Sequence, residues 1–298
     1  MKKIINDGFL SRLEAISFNM KTSMRGYFGG THKTKSYGST VEFADYRDYI
    51  LGDDLRRIDW NLYSRFEKFF IKLFTDERQM HIQIFLDCSR SLAYKDSKKR
   101  EFALQTVAAL GYLAVQNMDK VTIKLVQGDV ANDPWGILSG KEAFLGAISR
   151  LEDVPFGGST DINRAIVNCP TLGSNDGMTV IVSDFLDESN WKAAVDYLLF
   201  KKREVMLVQV LDPEEMDPSY KGRTILLDSE ATDHYDTRNM KLNITRGEYD
   251  AYKRALRDML EDVRSFCIKR NITYVFARSD EDVEKVFFEQ LFEAGVIK

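Results

Sequence analysis

From about Glu77 onward, short apolar runs rich in β-branched residues alternate with longer stretches in which apolar residues recur every three or four positions. The runs have the pattern of strands buried on both faces, and the stretches that of amphipathic helices. Their alternation predicts βαβ units around a mostly parallel sheet. The predicted strands are "HIQIFLD" (81–87), "KVTIKLV" (120–126), "MTVIVSD" (178–184), "EVMLVQVL" (204–211) and "ITYVFA" (272–277). Helical periodicity falls at about 97–118, 140–151, 161–168, 190–201, 246–270 and 281–294. An irregular insertion at about 213–245 contains "RTILLDSE" and "MKLNIT", which predict extra strands in a hairpin or edge position. No internal repeat is visible.

The pattern ahead of Glu77 is different. An amphipathic helix is expected at about 8–21, followed by a Gly/Thr/Lys-rich loop and a segment dense in charge and aromatics, with strand character in "FFIKLFTDE". Apolar residues here are too few and too scattered for a separate core. The expected organisation is therefore an N-terminal extension, 1–75, followed by an α/β domain, 76–298, that carries the insertion.

With 298 residues and 44% hydrophobic content, the chain can bury a sizeable core. No apolar run approaches the roughly 18 residues of a membrane span, and "MKKIINDGFLSR" lacks the apolar stretch of a signal peptide. A cytoplasmic location is the expectation. Cys88, Cys169 and Cys267 are odd in number and widely spaced, which predicts reduced thiols rather than a disulfide framework or a zinc site. Net charge is −4, but residues 1–40 hold seven Lys/Arg against two acidic residues. Such a basic arm can meet nucleic acid, though a solvated helix face or a contact with the chain's own acidic remainder is the commoner use.

Candidate chemistry gathers where strands end. In an open parallel sheet, ligands collect in the crevice outside the carboxyl ends of the strands. Asp87 closes the first core strand, followed at alternate positions by Ser89 and Ser91. "GGSTDI" (157–162) puts Thr160 on a Gly-rich loop opening a helix, and "VIVSDFLD" puts Asp184 at another strand end. Two carboxylates and three hydroxyls with no His or Cys suit a hard cation such as Mg²⁺ or Mn²⁺. The plainer alternative is that Asp87 caps the following turn while the serines satisfy loop backbone.

In this order on a βα scaffold, "DCSRS" (87–91), Thr160 and Asp184 resemble the metal-ion-dependent adhesion site of von Willebrand factor A domains. The resemblance implies a Rossmann-like, mostly parallel sheet flanked by helices. It also implies that Ser89, Ser91 and Thr160 bind the metal, that Asp87 and Asp184 act largely through water, and that a partner's acidic side chain completes the shell.

A second signature lies at 38–72, "GSTVEFADYRDYILGDDLRRIDWNLYSRFEKFFIK". By its residues it is an ordered charged loop in which guanidinium and carboxylate groups pair while Phe43, Tyr46, Tyr49, Ile58 and Trp60 anchor it. An interface role is open as well, because Arg and Trp are common interface anchors. The "GD..R.IDW" spacing ahead of a D-x-S-x-S strand resembles the bacterial and archaeal family named domain of unknown function 58. Ser64 stands where many members have Ala. The chain lacks the N-terminal membrane helices of many members, so it resembles the soluble branch. The resemblance implies work beside a MoxR-type AAA+ ATPase, as adaptor or co-chaperone in complex assembly or metal-centre insertion.

The expectation is thus a non-catalytic, metal-dependent protein-interaction module, chaperone-like, binding a client that presents an acidic side chain. One rival is a Mg-dependent phosphatase-like hydrolase using Asp87, but such enzymes place a second Asp two residues on, where this chain has Ser89. A second rival is nucleic-acid binding through the basic arm. No G-x-x-x-x-G-K-[ST] is present, and none of the three histidines lies in a nucleophile motif.

Overall fold

The computed structural model describes residues 41–50, 53–76, 79–94, 98–172, 177–186, 190–219, 222–226 and 240–286, with Gly8 and Ser11. Apart from Gly8 and Ser11, which are helical, the helix expected at 8–21, the Gly/Thr/Lys-rich loop and the end of the helix expected at 281–294 lie outside these residues. The chain forms two compact units, Phe28–Gln79 and, together, Met1–Tyr27 and Met80–Lys298.

In the smaller unit, β1 (Val41–Asp48) pairs antiparallel with β2 (Phe70–Asp76), and α1 (Trp60–Phe66) lies between them in sequence. The loop expected at 38–72 is therefore a hairpin carrying a short helix. Asp59 starts that helix by accepting the Asn61 N–H at 2.9 Å, and its other oxygen takes the Tyr46 hydroxyl at 2.9 Å. Arg47 grips Asp53 with two bonds of 2.8 and 2.7 Å, a fork-to-fork pair of the kind expected. Ile58 and Ile71 are buried, but α1 buries none of its residues and Trp60 is 60% exposed. Trp60 meets Tyr63 and Phe69 edge-on instead of anchoring the segment by burial.

The larger unit has the mostly parallel sheet predicted. Its strands are β3 (His81–Asp87), β4 (Lys120–Gln127), β5 (Val130–Asn132), β6 (Leu138–Ser139), β7 (Met178–Ser183), β8 (Glu204–Leu211) and β11 (Thr273–Arg278). The order is β11-β8-β7-β3-β4-β5, parallel throughout except for β5, with β6 pairing antiparallel to the start of β4. The order reverses direction between β3 and β7, and at such a switch point the connections leave a crevice open beyond the strand ends. Asp87 and Asp184 flank that point.

Helices cover both faces of the sheet. On one, α4 (Ile162–Val167), α5 (Trp191–Phe200) and α7 (Arg246–Arg270) share a core with Phe85, Ile181 and Leu207. Elsewhere α2 (Lys99–Gln116) lies against β3, β4, β7 and β8, with α3 (Lys141–Leu151) beside it. The close approach of α2 and α3 requires Gly111, since a Cβ there would sit 2.4 Å from the Phe144 ring. The insertion begins with the short α6 (Pro213–Met216) and contains β9 (Gly222–Leu226) and β10 (Met240–Ile244), an antiparallel pair as its sequence predicted. No helix among the described residues is long and apolar enough to cross a membrane, and all three cysteines are free and buried.

Candidate functional site

Asp87 ends β3 with its carboxylate turned back into the fold, only 3% exposed. Four groups around it decide its state. Oδ1 accepts the Ser89 N–H at 2.9 Å and the Thr160 hydroxyl at 2.8 Å; Oδ2 accepts the Ser183 hydroxyl at 2.7 Å. Asp184 adds a like charge nearby. Burial, then that charge, pushes the Asp87 carboxyl above its ordinary range, while the three donors oppose the shift.

The turn after β3 aims the serines. The Asp87–Ser89 bond closes an Asx turn, a short 3-10 turn follows at Ser91–Ala93, and the Ser89 and Ser91 hydroxyls meet at 2.9 Å. The capping alternative raised from sequence is therefore present, and it coexists with convergence of the hydroxyls. Thr160 is held by main chain: Gly128 and Thr160 form an isolated bridge, and Arg90 N–H bonds to Gly158 O at 3.0 Å. Gly158 has φ +74°, a conformation a side chain would resist.

Asp184 follows β7 directly. Its Oδ1 accepts the Leu186 N–H at 3.2 Å across Phe185, a non-glycine residue at φ 54°. Left-handed geometry in a bulky residue costs energy and persists only when the surroundings enforce it. Here Phe185 is 3% exposed, packs on Trp191 at 5.2 Å and donates its N–H to the Ser183 hydroxyl.

The structure thus brings together all five residues singled out from sequence and adds three that were not. Ser183 completes the shell of Asp87. Lys99, 1% exposed, sends its ammonium to Asp184 Oδ2 at 2.8 Å and to Glu215 Oε1 at 2.7 Å. Burial alone would lower the Lys99 pKa, but the two carboxylates outweigh it and the group is held above its ordinary value. Glu215 is pushed up by burial and drawn back by Lys99. The only sequence signal for Ser183 was its place beside Asp184; Lys99 lay in a basic run, "SKKR", and had none.

The donor set can be tested against a hard cation. Adjacent ligands of octahedral Mg²⁺, each about 2.1 Å from the ion, lie about 3 Å apart, which matches the Ser89–Ser91 separation. The two hydroxyls, Thr160 and two carboxylates are oxygens only, as such an ion requires. Among the described residues no group of three His, Cys, Asp or Glu side chains is arranged to hold a metal, so any cation here depends on the hydroxyls. The residues fit that demand.

Cys88, between the ligands, is fully buried; its thiol contacts Leu86 O at 3.5 Å, and burial pushes its pKa far up. It faces into the fold.

The strand order defines a Rossmann-like α/β domain, a mostly parallel sheet flanked by helices. The chain belongs to the family described as "Protein of unknown function DUF58", whose sequence model matches residues 45–259. It is similar to uncharacterised proteins of Mycobacterium tuberculosis and Mycobacterium bovis, each 26% identical over 224 residues, 74% of this chain and 70% of theirs. Among solved structures it resembles the conserved hypothetical protein BatB from Bacteroides thetaiotaomicron, with a TM-score of 0.42 and 17% identity over 72% of this chain and 98% of that one. A von Willebrand factor type A protein from Catenulispora acidiphila has a TM-score of 0.37 and 11% identity, over 87% of this chain and 51% of the other.

Proposed function

We propose that the protein is a non-catalytic interaction module that binds Mg²⁺ or Mn²⁺ through Ser89, Ser91 and Thr160, with Asp87 and Asp184 behind them, and uses the cation to capture an acidic side chain of a client. The observation that carries this reading is the meeting of the Ser89 and Ser91 hydroxyls beside a buried Asp87 that also holds Thr160. Bound there, the cation would supply a Lewis-acidic position for an external carboxylate; the chain's own residues fix the hydroxyls and keep two carboxylates close. Work beside a MoxR-type AAA+ ATPase, as adaptor or co-chaperone, follows from the family resemblance, and the three free cysteines suit a reducing cytoplasm.

A hydrolase using Asp87 is opposed by the residue's surroundings. Its carboxylate is buried and engaged by three donors, and the position two residues on holds Ser89 rather than a general acid. Calorimetry tests the main reading: wild type takes up Mg²⁺ or Mn²⁺ and Asp87→Ala does not. Equal uptake by both would sink the site. A phosphatase screen with Mg²⁺ is expected to show no turnover; activity lost in Asp87→Asn but kept in Ser89→Ala would restore the hydrolase.

A further inference from the structure

Among the described residues, the charges at the strand ends, buried for Asp87, Asp184 and Lys99 and half-buried for Glu215, do not balance among themselves. Among the described residues, Asp184 and Glu215 share one ammonium, Lys99, at 2.8 and 2.7 Å, and Asp87 holds a further carboxylate beside Asp184. With all four groups ionised the cluster keeps two negative charges, and uncompensated charge away from water is expensive. A simple structural ion pair would need one carboxylate per ammonium. The second carboxylate on Lys99 calls for its own explanation.

Glu215 is placed with care for that second position. It sits in α6, where Asp212 caps the turn and Glu215 Oε2 accepts the Asp212 N–H at 2.8 Å, a reciprocal capping box. Its carbonyl accepts the Tyr252 hydroxyl of α7, and Asp212 Oδ2 accepts the Ser279 hydroxyl beyond β11 at 3.0 Å. Elements following β8 and β11 thus deliver one carboxylate to a lysine that also bonds Asp184.

We propose that Lys99 and Glu215 set the divalent-cation affinity of the site: Lys99 orients Asp184, and Glu215 cancels the ammonium's charge so that two net negative charges face the ion. This rests on the metal-binding reading given above. An ammonium beside Asp184 without Glu215 would repel a divalent ion through a poorly screened interior, where one charge a few ångströms away changes binding severely. Lys99 is therefore a positioning residue, and the pair ties the cation to the root of the insertion.

The test is titration of Mg²⁺ and Mn²⁺ into wild type, Glu215→Gln and the double variant Lys99→Met/Glu215→Gln, with circular dichroism melts on each. Glu215→Gln keeps the shape and the contact with Lys99 but removes the charge that offsets the ammonium, leaving one net negative charge fewer toward the ion, so affinity falls roughly ten- to a hundredfold. The double variant restores two net charges and recovers most of the lost affinity, staying about threefold below wild type because Asp184 has lost the orienting bond from Lys99. Wild-type affinity in Glu215→Gln overturns the proposal, as does a folded double variant that stays as weak as Glu215→Gln. If the double variant does not fold, the near-isosteric Glu215→Gln decides alone. No uptake by wild type would remove the metal reading itself, and this role with it; unchanged affinity in Glu215→Gln would remove only the role.

Discussion

The two ends of the sheet treat buried charge in opposite ways. At the amino end, Arg203 is 3% exposed and, among the described residues, is solvated by neutral oxygens: Thr179 Oγ1 at 2.6 Å and the carbonyls of Met178, His81 and Leu172 at 2.8, 3.0 and 3.3 Å. Burial lowers its pKa to about 10. Gly177 admits the crossing, since a Cβ there would lie 2.4 Å from His81 O. At the carboxyl end, Lys99 is met by carboxylates, and its pKa rises. A cation surrounded by dipoles is complete in itself and binds strands together. A cluster with surplus charge of one sign is incomplete, and under the proposed reading a cation completes it.

The contrast breaks most visibly at Arg203. Arg203→Met strips four acceptors of their donor and is expected to cost about 3 kcal/mol or more in urea unfolding, while divalent uptake by the folded variant persists. A loss below about 1 kcal/mol would show that the amino end is not held this way.

Asp119 sharpens the comparison from the acidic side. It too lies at the amino end, 5% exposed, accepting the Met80 N–H at 2.8 Å, and burial pushes its carboxyl to about 6. A raised acid pKa means that the folded chain holds a proton the unfolded chain has released, so stability is full at low pH, falls between about pH 4 and 6, and stays reduced above. Asp119→Asn removes that cost. Its advantage over wild type is expected near zero at pH 4 and roughly 2 to 3 kcal/mol at pH 8. An advantage independent of pH would contradict the assignment.

The smallest effect is expected in the hairpin unit. Trp60 is 60% exposed, so Trp60→Ala is expected to change stability by less than about 1 kcal/mol, measured by thermal melt. A large loss would restore the anchoring role that its sequence context suggested.

What was legible in the sequence is what depends on local pattern. The strand "HIQIFLD" matched β3 because a short apolar run, interrupted only by Gln83 and ending in Asp, has the length and composition of a buried strand, and the D-x-S-x-S spacing carried the turn with it. Strands β5 and β6 escaped notice because they are three and two residues long among Asp, Pro and Gly. Trp60 misled because an aromatic reads as core, whereas the cap made by Asp59 commits it to a helix that buries none of its residues. Lys99 was invisible for a different reason: its partners stand 85 and 116 positions away, and no local period encodes a pairing that only the topology creates.

One feature of the loops bears on rates. The loop holding Thr160 is stitched by four main-chain bonds, two to the turn after β3 (Arg90 N–H to Gly158 O and Gly157 N–H to Cys88 O) and two to Gly128 after β4 (Gly128 N–H to Ser159 O and Asp161 N–H to Gly128 O), all between 2.8 and 3.0 Å. The hydroxyls are assembled when the chain folds, so little ordering entropy is left to spend when an ion arrives. Under the proposed reading, loading is then governed by the ion shedding its own water. Mg²⁺ dehydrates reluctantly, so stopped-flow mixing is expected to show Mn²⁺ entering faster than Mg²⁺, with amide exchange at these four N–H groups slow before either is added.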